Sequence, residues 1–387
     1  MKLRSILIEG VGGLRTISLP ALDEQMNILC GPNGIGKTTV LESIAHCFTQ
    51  GQSHILKRNV NLSTAHINAT LMTGETIDFA FDVYDPSKPI QLSNGVARAK
   101  ALLSLKTTRT FGYQQLNAVG KDTEKQDWTM AQEAISGVQL SDIKNWFVNR
   151  HMFSPHEGAL NETQKANFEL AKKCFSALNG AFEFSHVDAS SLEIAVDTPD
   201  GKIHYEYLSS GFKSCLSILF GIIKEVEFRF PGVKVEDFAG IVLLDEIELH
   251  LHPEWQGKIA SVLTKIFPRI QFIVTTHSPH VIQAALPKQV IALELNEGAV
   301  RVRPQPMSAL GYRGWTVDEV LTDVMGMADT RSEFFNSLNQ RFTDALDKGD
   351  RALAEAAYSE LSQSLHPNNP QAKLMRIQMA SAEWSDA

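Results

Sequence analysis

Gly31-Pro32-Asn33-Gly34-Ile35-Gly36-Lys37-Thr38-Thr39 decides how this chain is read. It lies between a short apolar run, Met26 to Cys30, and a helical pattern that places Val40, Leu41, Ile44, Ala45 and Phe48 on one face. Strand, glycine loop and helix in that order make a P-loop. The glycines let the backbone curl so that successive N–H groups and the helix N-terminus face phosphate oxygens. Lys37 then reaches the β and γ phosphates, and the Thr38 hydroxyl is placed to ligate Mg²⁺. A chance glycine-rich turn would not fill every fixed position and also carry the correct flank on each side.

Three later segments extend this reading. Gly240-Ile-Val-Leu-Leu-Asp245-Glu246 is a buried-strand pattern ending in two acids. In that layout the first carboxylate holds Mg²⁺ and the second, Glu246, is the general base toward the attacking water. Leu208-Ser209-Ser210-Gly211-Phe212-Lys213-Ser214 opens a helical stretch, and Phe272-Ile-Val-Thr-Thr-His277-Ser278-Pro279 is a second buried strand ending in a histidine.

In the order P-loop, signature, acidic pair, histidine, these segments resemble the soluble ABC-type ATPases of the SMC, RecF and OLD kind over roughly residues 1 to 305. Leu208 to Ser214 is similar to their signature motif, and His277 to their switch histidine. The run Leu244-Asp-Glu-Ile-Glu248-Leu-His250-Leu-His252-Pro253 resembles the variant of the compact PtuA-like ATPases of bacterial anti-phage systems. The fifth signature position departs from the pattern: Phe212 stands where Gln or Glu is usual.

The resemblance implies an α/β fold, an ABC-type P-loop ATPase with a mixed central sheet and an antiparallel β lobe. Helical patterns after Arg303-Pro-Gln-Pro306, at Glu333 to Leu346, Arg351 to Leu365 and Pro370 to Trp384, add a small helical C-terminal domain. The ATPase domain is expected over 1–306, with a helical insert at about 85–190, and the helical domain over 307–387. ATP and Mg²⁺ are the implied cofactors. Lys37, Glu246 and His277 are the catalytic candidates, 31–39 with Ser209 and Gly211 the nucleotide-binding ones, and Thr38 and Asp245 the metal ligands. The family also places a glutamine near the metal, for which Gln114 or Gln115 is the candidate.

ABC signatures lie far from their own P-loop, so Ser209 and Gly211 meet a γ phosphate only when two copies pack head to tail around two ATP molecules. The resemblance therefore implies an ATP-dependent homodimer, with higher assembly open, and as partner a separate nuclease such as an HNH protein. The alternative is a RecF-like DNA-repair or DNA-binding ATPase without a toxic partner. A transporter subunit is disfavoured by the His-Leu-His-Pro loop and the helical tail.

Composition sets outer bounds. At 387 residues, 43% hydrophobic and 21% charged, the chain suits a folded protein of two or three domains. Its longest apolar stretches, Leu216 to Ile223 and Ile241 to Leu244, are too short to span a membrane, and the N-terminus is unlike a secretory signal. Cys30, Cys47, Cys174 and Cys215 lack close pairing, so reduced thiols in a cytoplasmic protein are expected. A net charge of −8 argues against coating nucleic acid. A DNA contact would have to be local, with Lys57, Arg58, Lys100, Lys106, Arg109, Lys165, Lys172 and Lys173 the candidates.

His250, His252, His277 and His280 also admit a zinc reading. The ATPase pattern favours a phosphate contact for His277, and for the other two of the His-x-His pair a role in shaping a loop that meets a second subunit. In the tail, Asp318, Glu319, Asp323 and Asp329 read as helix-start and surface acids rather than as a nuclease centre.

Overall fold

The structure is a computed structural model that describes all residues except 108–112, 114, 123–124, 306–309, 383 and 385–387, and of Val96 only the backbone. The chain forms two compact units, Met1–Gly326 and Met327–Ala387.

In the first unit, β1 (Leu3–Val11) and β2 (Leu14–Leu19) make a hairpin, and β3 (Met26–Cys30) leads into α1 (Lys37–Cys47). Next come β4 (Gln50–Ser53), β5 (Ala65–Leu71), β6 (Thr76–Phe81), β7 (Ile90–Ser93), the single turn α2 (Val96–Ala99) and β8 (Leu102–Leu105). Three helices follow, α3 (Asp127–Ser136), α4 (Ile143–Phe153) and α5 (Glu162–Leu178), then β9 (Glu183–Val187), β10 (Ile194–Thr198) and β11 (Gly201–His204). The long α6 (Ser210–Arg229) precedes β12 (Ile241–Leu244), α7 (Pro253–Ile266), β13 (Gln271–Thr275), α8 (Pro279–Ala284), β14 (Val290–Asn296) and β15 (Ala299–Val302). One turn, α9 (Val317–Glu319), runs into a π-helical turn, Val320–Val324.

The central sheet has the order β15-β14-β3-β13-β12-β8, parallel except for β15. Every residue of β3, β8, β12 and β13 is buried, because both faces are covered and the strands need no polar alternation. Successive residues feed two different cores. Ile28, Val242, Leu244, Phe272 and Val274 pack with α4 to α7 on one face. Leu29, Ile241, Leu243 and Ile273 pack on the other with α1 and the antiparallel sheet β2-β1-β5-β6, the β lobe.

Topology thereby positions the site. β3, β13 and β12 are neighbours running the same way, so the P-loop, the segment from Thr275 to His277, and Asp245 with Glu246 all leave the same, carboxyl-terminal edge of the sheet.

The region 85–190, expected as a helical insert, also contributes strands. The strand expected at Ser104 to Tyr113 overlaps the observed β8 only at its first two residues: β8 ends at Leu105, where it lies parallel to β12, Lys106 and Thr107 are not strand, and 108–112 lie outside the described residues. Leu102-Leu-Ser-Leu105 carries no alternation by which a strand announces itself. β4 and β7, rich in Gln, Ser and Gly, pair with each other as a ribbon.

The C-terminal half of α6 buries Lys224, Glu225, Glu227 and Arg229. Each has partners: Arg229 meets Glu133 at 2.6 Å, Glu225 meets Lys125 at 2.7 Å, Glu227 meets Arg150 at 2.6 Å, and Lys224 meets Asp142. Removing one member would strand a buried charge, so this network ties α3 and α4 to the signature helix.

After residue 306 the chain stays with the first unit for some distance. Tyr312, Val320, Val324 and Met325 are buried in its core, and the units divide after Gly326 rather than at 306. The second unit is α10 (Glu333–Asp347), α11 (Arg351–Ser364) and α12 (Pro370–Ser381), around Leu338, Phe342, Ala357, Leu361 and Met375. Ser332, Asp350 and Asn369 cap its helices. Among the described residues no helix is long and apolar enough to cross a membrane.

Candidate functional site

At the end of β3 the backbone of Gly31 adopts φ 139, and a Cβ there would lie 2.5 Å from the Leu293 carbonyl oxygen on β14. Only glycine lets the strand turn so close to its neighbour. Pro32, Asn33 and Gly34 are exposed, while Ile35 is buried and anchors the loop in the core. Gly36, in a left-handed conformation at φ 102, begins α1 without a side-chain cap, so the first-turn N–H groups are left for an anion.

Lys37 is buried, and its Nζ donates to the Gly31 and Pro32 carbonyl oxygens at 2.9 and 3.0 Å. Burial lowers the pKa of this ammonium below its ordinary value, with the acids Glu248, Asp245 and Glu246 pulling the other way. A cation held by two carbonyl oxygens at the mouth of an anion nest suits a polyphosphate.

Asp245 is the second fixed point. The Thr38 hydroxyl lies 3.2 Å from each of its carboxylate oxygens, and the Thr275 hydroxyl donates to Oδ1 at 2.6 Å. The same Thr275 oxygen accepts the backbone N–H of Glu246 at 2.8 Å. One threonine on β13 thus holds both acids in register, and Glu246 turns at φ 50. Hydroxyl and carboxylate oxygens converging on one point are the donor set a small hard cation takes. Thr39 is half-buried at the start of α1 beside the β1–β2 turn.

His277 is exposed, and its backbone N–H donates to Glu248 at 2.5 Å. The structure therefore gathers Lys37, Thr38, Asp245, Glu246 and His277 at one sheet edge.

Ser209 and Gly211 lie elsewhere. Ser209 is exposed and caps α6, accepting the Phe212 N–H at 3.3 Å. Gly211 packs on the far end of the acidic loop, where a Cβ would sit 3.4 Å from the His252 nitrogen and 3.6 Å from the His250 oxygen. Phe212 is buried, edge-on to Trp255 with ring centres 5.5 Å apart, and its ring centre lies 5.1 Å from that of Phe182. The departure at this signature position thus exchanges a polar contact for a core side chain.

The other candidates have local roles. His252 caps α7, and His280 pairs with Gln283 at 3.1 Å. Among the described residues no three of His, Cys, Asp and Glu come together in metal-binding geometry. Gln115 is exposed, and Gln114 and Arg109 lie outside the described residues. Of the basic candidates, Arg58 donates to three backbone oxygens, Lys106 pairs with Glu42, Lys165 with Glu162 and Lys172 with Glu169. Lys57 donates to the Lys88 oxygen, and Lys100 stands over the Phe230 ring. Thr275 and Glu248 are the site residues that the motif reading passed over. Glu248 is visible as part of the Leu244 to Pro253 motif but is given no role there, and Thr275 reads as an ordinary strand threonine.

A P-loop and an acidic pair on adjoining parallel strands, with a β lobe beside them and a helical signature segment, define an ABC-type P-loop ATPase. Two protein-family models match in tandem, an AAA ATPase domain over residues 1–135 and the family described as "AAA domain, putative AbiEii toxin, Type IV TA system" over 136–283. The Septu protein PtuA of Bacillus thuringiensis is 41% identical over 387 residues, covering 98% of both chains. The chain belongs to the PtuA family and is an ATPase. The Retron Ec83 probable ATPase of Escherichia coli is 28% identical over 64% of this chain and 47% of its own length. Among solved structures, the SMC head domain from Thermotoga maritima matches 79% of this chain and all of its own at 16% identity, with a TM-score of 0.44.

Proposed function

We propose that this ATPase is a nucleotide-gated dimeric switch, the subunit of a bacterial anti-phage complex that controls a separate nuclease of the HNH type. The observation that carries the dimer is the exposed start of α6. Ser209 stands in solvent at the N-terminus of a 20-residue helix whose neighbouring residues pack on the acidic loop. Such a helix start accepts a phosphate from outside its own protomer. The full-length relationship to PtuA supports the defence role.

In this reading Lys37 exchanges the Gly31 and Pro32 carbonyl oxygens for the β and γ phosphates of ATP. Thr38 and Asp245 would hold Mg²⁺, which when bound offsets phosphate charge. Glu246, steadied through Thr275, takes the proton of the attacking water, and His277 hydrogen-bonds the γ phosphate. Ser209 and Gly211 of one copy meet the γ phosphate bound to the other. Loss of that phosphate removes the bridging contacts and loosens the pair.

Light scattering on Glu246→Gln protein tests the switch: a dimer with ATP and a monomer without it are expected, and one mass under both conditions contradicts the proposal. Mass spectrometry of what co-purifies with the natively expressed protein tests the partner. A nuclease is expected, and its absence contradicts the assigned role.

A further inference from the structure

The acidic loop and the histidine loop are separated in sequence by α7 and β13, yet side chains stitch them together at two points. At the first, Glu248 spends both carboxylate oxygens on the histidine loop: Oε2 accepts the Thr276 hydroxyl at 2.7 Å and Oε1 the His277 backbone N–H at 2.5 Å. At the second, Ser278 Oγ donates to Gln256 Oε1 at 2.6 Å, while Gln256 Nε2 donates to the Leu251 oxygen at 2.8 Å. Thr276 Oγ1 also accepts the Ser278 N–H at 3.0 Å, so the three residues 276–278 are bonded as one turn.

Bonds to an ionised acceptor are short and about twice as strong as neutral ones, and a rigid planar carboxylate fixes two donors at once. We infer that Glu248 is a positioning residue for ATP hydrolysis: it sets the backbone at His277 and thereby where the imidazole stands. This rests on the reading of His277 as the group that meets the γ phosphate.

Glutamine at position 248 can keep both links, its oxygen accepting the His277 N–H and its amide donating to Thr276 Oγ1. Alanine keeps neither. Steady-state ATP hydrolysis by the full-length protein distinguishes them. Glu248→Ala should lower kcat by roughly 10- to 100-fold with little change in KM, as misplacement of a reacting group by about 1 Å does. Glu248→Gln should recover most of that loss. A Glu248→Ala/His277→Ala double variant should be no slower than His277→Ala alone, because Glu248 acts through His277.

If Glu248→Ala keeps the parental kcat while His277→Ala loses it, or if the two losses multiply, the positioning role is overturned. If His277→Ala itself hydrolyses ATP normally, the reading of His277 fails instead. Should Glu248→Ala not fold, Thr276→Val removes one of the two links isosterically: a reduced kcat at unchanged KM supports the inference, and a parental kcat overturns it.

Discussion

Thr38 and Asp245, 207 positions apart in the chain, face each other with the threonine hydroxyl 3.2 Å from both carboxylate oxygens. They meet because β3 and β12 flank β13 and all three strands end at one edge. The sheet itself thus brings the P-loop and the acidic pair together.

This pairing makes Asp245 a probe of the site's charge. Asp245→Asn is nearly isosteric and can retain a bond to Thr275, so the fold should persist. Hydrolysis should fall on the order of 10²-fold or more, since a charge that stabilises the transition state is removed. Hydrolysis titrated against Mg²⁺ concentration, with circular dichroism to confirm folding, checks this. Parental turnover at every Mg²⁺ level would remove Asp245 from the metal site.

Stability should fall as pH drops from 6.5 toward 4, because of His46 at the back of α1. Its ring is fully buried, and burial pushes its pKa down from 6.5 to about 4. Nδ1 donates to the Glu42 oxygen at 2.6 Å, so Nε2 accepts the Ser53 hydroxyl at 2.7 Å, and the ring is neutral. Well above pH 6.5 neither the folded nor the unfolded state binds the proton. Below it the unfolded chain does first, which costs about 1 kcal/mol at pH 5.5 and about 3 kcal/mol at pH 4. Urea unfolding of the parent and of His46→Gln at pH 7.5 and 5.5 should show the parent losing about 1 kcal/mol more than the variant. Equal losses would assign the acid sensitivity to other groups.

The unit Met327–Ala387 has its own small core and leaves Phe334, Leu353, Leu374 and Ile377 exposed. We propose that it is a docking platform for the partner, and as such it should be dispensable to the ATPase. Truncation after Gly326, which spares the buried Val320, Val324 and Met325, should give a soluble protein that binds ATP but loses its co-purifying partner. Aggregation, or loss of nucleotide binding in a fluorescence titration, would make these helices part of the ATPase fold.

Much of the architecture was legible in the sequence because its strongest signals are local. The glycine loop, the acids ending an apolar strand and the helix-start acids Asp318 and Glu319 are each written in a few adjacent residues. What depends on distant partners was not. β8 has no period of its own and becomes a strand only by lying beside β12. Phe212 reads as a lost polar contact until Trp255 and Phe182 are placed around it. Thr275 and Glu248 gain their roles only when the ends of β12 and β13 are side by side.

The shared active site is tested most directly by mixing two inactive proteins, Ser209→Arg and Lys37→Ala. Alone, each should fold and fail to hydrolyse ATP, one lacking a working signature and the other a working P-loop at every site. In a mixture of exchanging subunits half the dimers are hybrids, and each hybrid has one site with both parts intact, so activity should return to about a quarter of the parental rate. A mixture that exchanges subunits yet stays inactive would contradict the head-to-tail account.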